Sequence, residues 1–113
     1  MPVTMYHNPR CATSRRTLAL LRERGIEPEI IEYLKTPPPA AELKRILGQL
    51  GMPAAKLLRK KEAAAAGIDA KGLSEDALIA AMVAHPIVIE RPIVLSGTKA
   101  ALGRPPEAVL SVL

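Results

Sequence analysis

The first third of the chain shows a strand, a helix and a second strand in its pattern of apolar and polar positions. A short strand is predicted over Val3–His7, and the turn Asn8-Pro9 ends it. Helical periodicity follows over Ala12–Arg24, and Gly25 suits the position just after a helix. A second strand is predicted over Glu29–Leu34. A β-α-β unit of this kind predicts that its two strands are parallel.

The middle of the chain, after the proline run that follows Thr36, is predicted to be mainly helical. Its clearest signal is a set of apolar residues at helical spacing: Leu43, Ile46, Leu47 and Leu50. Gly51 ends this predicted helix. A shorter helix is predicted over Ala54–Lys61, followed by a ragged helix or turn over Glu62–Gly67.

A third helix of this block is predicted to begin at the N-cap Ser74 and to stop near His85-Pro86. Two strands over Ile87–Glu90 and Pro92–Ser96, and a short helix over Pro106–Val112, complete the chain. The helical block, approximately residues 39–85, is interpreted as an insertion. The remaining β-α-β and β-β-α segments then form an α/β, thioredoxin-like fold with a mixed sheet, in a single domain over residues 1–113.

Composition narrows the classes of function. Lys and Arg exceed Asp and Glu by 16 to 11, a net charge of +5, which suits a solvated surface or a cleft for small anions. Basic residues form no dense block and aromatic residues make up 2% of the chain, so we expect no nucleic-acid partner. A lone cysteine excludes an internal disulfide and a multi-cysteine metal site, and no metal is expected.

No signal-peptide pattern and no apolar run of the ~20 residues that a membrane span needs occur in the sequence. We therefore expect a cytoplasmic protein without a membrane partner, in a compartment where a thiol stays reduced. No predicted helix shows a surplus apolar face, which favours a monomer.

Cys11 is the most informative residue, because it lies where a predicted strand passes into a predicted helix. Unpaired N–H groups and the helix dipole favour the thiolate there, and the thiolate is the nucleophile. A lone cysteine is otherwise often a small buried apolar residue. His7 is predicted to pair with the thiolate or to orient it. Ser14 makes the motif Cys-x-x-Ser, which lacks a second thiol, so a thiol from outside must complete any redox cycle.

Four arginines are candidates for binding an anion: Arg15, Arg59, Arg91 and Arg104. A guanidinium matches a tetrahedral oxyanion with two parallel hydrogen bonds, which an ammonium group cannot do. A loop of the tyrosine-phosphatase type would need an arginine where Thr17 stands, one position beyond Arg16, and is therefore excluded.

These residues lie in segments that resemble the ArsC family of glutaredoxin-dependent arsenate reductases over nearly the whole chain. The segments are Tyr6-His7-Asn8-Pro9-x-Cys11-x-Thr13-Ser14-Arg15, Leu57-Leu58-Arg59-Lys60, His85-Pro86-Ile87-Val88-Ile89-x-Arg91-Pro92-Ile93-Val94 and Arg104-Pro105. The resemblance implies reduction of arsenate to arsenite with electrons from glutathione and glutaredoxin. It implies no bound cofactor, with glutathione as a co-substrate.

The resemblance also implies a role for each site residue. Cys11 is the nucleophile, assisted by His7, and Ser14 and Arg15 belong to the active loop. The residues expected to bind the oxyanion are Arg59, Arg91 and Arg104. By the same analogy, the Arg91–Pro92 peptide bond is expected to be cis.

Two departures from the family pattern lie beside the nucleophile: Ala12 replaces a glycine, and Arg10 adds a charge. Two other functions stay open. One is a regulator of the Spx type that binds RNA polymerase, although such proteins commonly carry Cys-x-x-Cys and Ser14 breaks that motif. The other is a glutathione-dependent thiol reductase that does not act on arsenate.

Overall fold

Four short strands form one mixed sheet in the computed structural model, which describes residues 2–113. They are β1 (Val3–His7), β2 (Glu29–Glu32), β3 (Ile93–Ser96) and β4 (Lys99–Leu102). Their order in the sheet is β2-β1-β3-β4. β1 pairs with β2 in parallel, whereas β3 is antiparallel to both β1 and β4. The predicted mixed sheet and the parallel first pair of strands are confirmed.

The helices are short and lie in the chain between and after the strands. They are α1 (Ala12–Glu23), α2 (Ala40–Leu50), α3 (Ala54–Leu57), α4 (Lys60–Ala65) and α5 (Glu75–Ala84). Two 3-10 helices span Pro86–Val88 and Pro106–Val112. None of the helices formed by residues 2–113 combines the length and the apolar character that a bilayer crossing requires.

The chain divides into two compact units. The sheet unit holds the residues up to Thr36 and those from Arg91 onward, and the helical unit holds Pro37–Glu90. In the sheet unit, β1, α1, β3 and the C-terminal 3-10 helix each contribute one buried residue to a common core: Met5, Leu21, Val94 and Val109. These residues are fully buried, so the core fixes α1 and the C-terminal helix against the sheet.

The helical unit is built on the apolar positions that the sequence periodicity identifies. Leu43, Ile46 and Leu47 of α2 are buried, and Gly51 follows α2 in the left-handed conformation expected of a helix end. Ser74 caps α5, because its Oγ accepts a hydrogen bond from the N–H of Ala77 at 3.2 Å. Both predicted helix boundaries are confirmed.

Two predicted elements of the helical unit are wrong. The predicted helix Ala54–Lys61 is broken at Leu58, which is extended and forms an isolated antiparallel bridge with Ile89. The predicted strand Ile87–Glu90 is instead the end of a 3-10 helix followed by that single bridge. The apolar run is too short for its pattern to separate a strand from a buried turn.

Two details of the sheet unit also differ from the sequence prediction. β2 ends at Glu32, two residues earlier than predicted, because the chain turns at Tyr33. β4, which pairs with β3 at the edge of the sheet, is not indicated by the sequence pattern. The C-terminal helix has the predicted extent, with 3-10 geometry.

Candidate active site

Cys11 lies at the end of a tight turn that joins β1 to α1. Its N–H donates to the carbonyl of Asn8 at 3.0 Å, and Pro9 occupies the second position of the turn. The Asn8 side chain reinforces the turn by accepting from the N–H of Arg10 at 3.0 Å. Cys11 itself is the N-cap of α1, with extended backbone angles, and is partly exposed. The sequence therefore places the only thiol of the chain at a helix N-terminus, as predicted.

The surroundings of the Cys11 sulfur favour the thiolate. Partial burial raises the pKa of the thiol, but the backbone N–H groups of Ser14 and Thr13, the Arg91 side chain and the charge of Arg104 lower it by more. The net pKa of Cys11 is below its ordinary value. A guanidinium nitrogen of Arg104, Nη2, lies 3.6 Å from the sulfur. Hydrogen-bond donors and positive charge thus surround one accessible sulfur atom.

Arg104 connects the sulfur to the segment that carries Arg91. Its Nε donates to the backbone carbonyl of Arg91 at 2.8 Å, while its Nη2 faces Cys11. The Arg91 side chain is buried. The Arg91–Pro92 peptide bond is cis, which confirms the prediction, and the Arg104–Pro105 bond is also cis. The structure therefore brings Cys11, Arg91 and Arg104 together.

Gly103 allows the two arginine-bearing segments to approach α1. Its N–H donates to the carbonyl of Pro92 at 2.9 Å. A Cβ atom at position 103 would lie 2.6 Å from Oγ1 of Thr17 and 2.7 Å from Cγ of Pro92. Those distances are shorter than real contacts of a Cβ atom, so a larger residue would displace its neighbours. Sequence reasoning missed this role, and its only signal is a glycine directly before Arg104.

His7 is buried and contacts Ser14 in the first turn of α1. Its Nδ1 lies 2.6 Å from the Ser14 hydroxyl oxygen, and that oxygen accepts a hydrogen bond from the N–H of Asn8 at 3.1 Å. Burial and the positive charges of Arg22 and Arg15 lower the pKa of His7, and the Glu32 carboxylate raises it. The net pKa of His7 is below its ordinary value. This lowered pKa favours the neutral form of the ring. The contact that the structure gives His7 is with the Ser14 hydroxyl, and the backbone N–H of Ser14 in turn faces the Cys11 sulfur.

Arg15 supports the turn of the active site. Its Nη1 donates to the carbonyl of Pro9 at 2.9 Å, which ties the first turn of α1 back to the loop before Cys11. The side chain that the sequence proposes as an anion ligand thus donates a hydrogen bond to the loop before Cys11.

Arg59 lies in the helical unit and is paired with two carboxylates. Its Nε contacts Glu62, and its Nη1 donates to Glu90 at 2.7 Å. The bridge between Leu58 and Ile89 brings Arg59 and Glu90 together, although they are far apart in sequence. Burial lowers the pKa of Arg59, and the two carboxylates raise it by more. The two glutamates are partners that sequence reasoning did not identify.

The arrangement in the sheet unit suits nucleophilic attack on an electrophile that bears anionic oxygens. The thiolate of Cys11 supplies the nucleophile, and the guanidinium groups of Arg91 and Arg104 supply positive charge where the oxygens of a bound anion would otherwise repel it. Within residues 2–113, no three His, Cys, Asp or Glu side chains cluster in a way that could hold a metal ion.

Known proteins resemble this chain both in sequence and in architecture. The chain is 51% identical to the uncharacterized protein YfgD of Escherichia coli (strain K12), over 98% of the chain and 96% of YfgD. It is 46% identical to an arsenate reductase of Neisseria meningitidis serogroup A, over 98% and 97% of the two chains. The solved structure of an arsenate reductase from Vibrio cholerae superposes with a TM-score of 0.90 at 48% identity, covering 100% of this chain and 98% of that chain.

The structural likeness confirms the predicted thioredoxin-like fold. The family profile described as the ArsC family matches residues 6–112, which include the turn that carries Cys11 and the two segments that carry Arg91 and Arg104. This match covers nearly the whole chain and agrees with the close relatives. The chain therefore belongs to the ArsC family.

Proposed function

We propose that this protein is an arsenate reductase that reduces arsenate to arsenite, with glutathione and glutaredoxin as the source of electrons. The observation that carries the proposal is the convergence of Arg91 and Arg104 on the thiol of Cys11. The relatives named arsenate reductase, from Neisseria meningitidis and Vibrio cholerae, support arsenate as the substrate. The single cysteine supports an external thiol as the reductant, because the chain cannot form an internal disulfide.

The first step is attack of the Cys11 thiolate on arsenic. A sulfur–arsenic bond forms, and one arsenate oxygen leaves as hydroxide or, once protonated, as water. Arg91 and Arg104 offset the negative charge of the remaining oxygens, which would otherwise repel the thiolate. Preorganised donors of this kind contribute about 3 kcal/mol each, on the order of a hundredfold in rate.

The second step transfers two electrons to arsenic. The thiolate of glutathione attacks the Cys11 sulfur, a sulfur–sulfur bond forms, and the electron pair of the sulfur–arsenic bond stays on arsenic. As(V) becomes As(III), arsenite leaves, and Cys11 is left in a mixed disulfide with glutathione. Glutaredoxin then reduces that disulfide by thiol–disulfide exchange and restores the Cys11 thiol. We propose that this cycle runs in the cytoplasm, where thiols stay reduced.

Arg59 is the third arginine that the resemblance assigns to the oxyanion. Its guanidinium is engaged by Glu62 and Glu90. A contact with arsenate would therefore compete with two carboxylates for the same donors. Our proposal takes Arg91 and Arg104 as the principal anion ligands because both converge on the Cys11 sulfur.

The direct test follows NADPH consumption with glutathione, glutathione reductase and glutaredoxin, in the presence and absence of arsenate. We expect consumption that depends on arsenate with the native protein and none with Cys11→Ser. Turnover by Cys11→Ser would contradict the mechanism. If the protein instead reduces a disulfide and arsenate has no effect on NADPH consumption, the alternative function is favoured, that of a glutathione-dependent thiol reductase that does not act on arsenate.

A further inference from the structure

A second cavity lies beside the active-site turn, at the edge of the sheet where β1 and β2 both end. Because these two strands are parallel, their carboxyl ends leave the sheet on the same side, with His7 paired in register with Glu32. The turn after β1 and the turn after β2 enclose a cavity of about 260 Å³. Arg10, the residue before the nucleophile, lines it together with Leu34 and Lys35.

The charges around this cavity have a particular pattern. Two cationic side chains, Arg10 and Lys35, line it together with one carboxylate, Glu32. Lys35 and Glu32 form an ion pair at 3.6 Å, but both side chains are exposed, so a charged ligand can replace that weak pair. Leu34 contributes an apolar surface to the lining of the cavity and is more than a third exposed. The cavity is thus suited to a small ligand that carries two carboxylates, one ammonium group and a short apolar stem.

A neighbouring cavity on the α1 side of the turn is less suited to such a ligand. It contains Arg15 and Arg22, but both guanidinium groups already hold other partners. Arg15 donates to the carbonyl of Pro9, and Arg22 forms two hydrogen bonds at 3.1 Å to the carboxylate of Glu27.

The chain supplies one thiol and therefore needs another from solution to complete a redox cycle. We propose that the cavity lined by Arg10, Glu32 and Lys35 binds the charged ends of this second thiol, a small zwitterionic peptide thiol with two carboxylates. Arg10 and Lys35 bind the carboxylates, and Glu32 binds the ammonium group. The inference rests on the proposed function, because it places the co-substrate of that reaction.

The binding site can be tested without arsenate, through the reaction of Cys11 with disulfides. The Cys11 thiolate attacks one sulfur of oxidised glutathione, the disulfide of the probe breaks, a mixed disulfide forms on Cys11, and one glutathione thiolate leaves. The same reaction with bis(2-hydroxyethyl) disulfide, which is neutral, reports the reactivity of the thiolate alone. The rate constant with oxidised glutathione divided by that with the neutral disulfide therefore measures recognition of the charged ligand. We refer to this quotient as the ratio.

We expect the double variant Arg10→Ala/Lys35→Ala to lower this ratio by about three- to tenfold, as expected for two exposed ion pairs. Arg24→Ala/Lys99→Ala, which also removes two exposed positive charges but none from this cavity, serves as the matched control and should leave the ratio unchanged. An unchanged ratio in the double variant would overturn the proposal. An equal fall in Arg24→Ala/Lys99→Ala would also overturn it, since general charge attraction would then explain the preference.

Two further outcomes separate this site from its alternatives. A fall of the ratio in Arg22→Ala, with none in the double variant, would place the ligand in the neighbouring cavity and refute our assignment. A protein that shows the expected ratio but never reduces arsenate would refute the proposed function and leave the thiol site supported, because no arsenate enters this measurement.

Discussion

The sheet unit and the helical unit each hold an arginine of the family motifs, but the two side chains have opposite surroundings. In the sheet unit, Arg104 spans a backbone carbonyl and the Cys11 sulfur. In the helical unit, Arg59 lies between Glu62 and Glu90. The first guanidinium lies next to the thiol of Cys11, whereas the charge of the second is offset by two carboxylates within its own unit.

The difference shows that a function cannot be assigned to an arginine of a sequence motif before its partners in the structure are known. A guanidinium next to a thiol favours the ionised sulfur, and a guanidinium between carboxylates supports the local fold. Both arginines occupy positions that the sequence resemblance treats alike. The following variants test how far the two units differ.

Removal of Arg104 should produce the largest effect. We expect Arg104→Ala to raise the pKa of Cys11, since a nearby positive charge is lost, and to reduce kcat/KM for arsenate about a hundredfold. The pKa can be followed by the thiolate absorbance at 240 nm against pH. Arg24→Ala, at the C-terminal end of α1, is the matched control and should change neither quantity. An unaltered thiol pKa in Arg104→Ala would contradict the role of this arginine.

Substitution of Gly103 should have the next largest effect. We expect Gly103→Ala to lower the free energy of unfolding by about 1–3 kcal/mol, because the added methyl group overlaps Thr17 and Pro92. It should also raise the pKa of Cys11, since the segments that carry Arg91 and Arg104 shift. Denaturant unfolding measures the first effect.

A glycine of the helical unit provides the comparison for this variant. Gly48 lies within α2, and a Cβ atom there meets no atom within 4 Å. Gly48→Ala should therefore increase stability, by up to about 1 kcal/mol, through its higher helix propensity. Equal losses of stability in Gly48→Ala and Gly103→Ala would show that the close approach at Gly103 has no special cost.

The lowered pKa of His7 predicts a smaller effect that depends on pH. The unfolded chain binds a proton at the ordinary histidine pKa, about 6.5, before the folded protein does. The stability that His7 contributes as a neutral ring is present above that pH and is lost as the pH falls toward its folded pKa. Thermal unfolding between pH 7.5 and about 5.5 should show this loss in the native protein and less of it in His7→Gln. Identical pH profiles would be inconsistent with a buried neutral ring.

Removal of a carboxylate from the helical unit should have the smallest effect on the site. We expect Glu90→Gln to cost about 1 kcal/mol of stability, because the ion pair with Arg59 is only partly buried. The pKa of Cys11 should stay at its native value. A clear change of the thiol pKa in this variant would show that the charges of the helical unit contribute to the thiol environment. It would contradict the difference between the surroundings of Arg59 and Arg104.

The sequence predicts the elements that have strong periodicity or clear ends. The helix with Leu43 and Leu47 follows directly from apolar spacing, and the turn Asn8-Pro9 ends β1 as its residue types indicate. β4 could not be predicted in this way, because Lys99–Leu102 has neither alternation nor β-branched residues. Its strand conformation comes from pairing with β3.

The sequence predicts those features of the site that depend on neighbouring residues in the chain. It does not predict those that depend on contacts between segments far apart in sequence. The position of Cys11 at a helix N-terminus follows from the pattern on either side of it. The pairing of Arg59 with Glu90 depends on a bridge between segments about thirty residues apart, which no local pattern encodes. The packing of Gly103 against Thr17 depends in the same way on the assembled fold.

The single cysteine at the start of α1 has a practical consequence for following the chemistry. Every covalent state along a thiol-based cycle must differ from the resting protein by one addition at one known position. The intact mass of the protein, measured after rapid acid quenching, would therefore report directly which intermediate accumulates. No peptide mapping would be needed to assign the modified sulfhydryl.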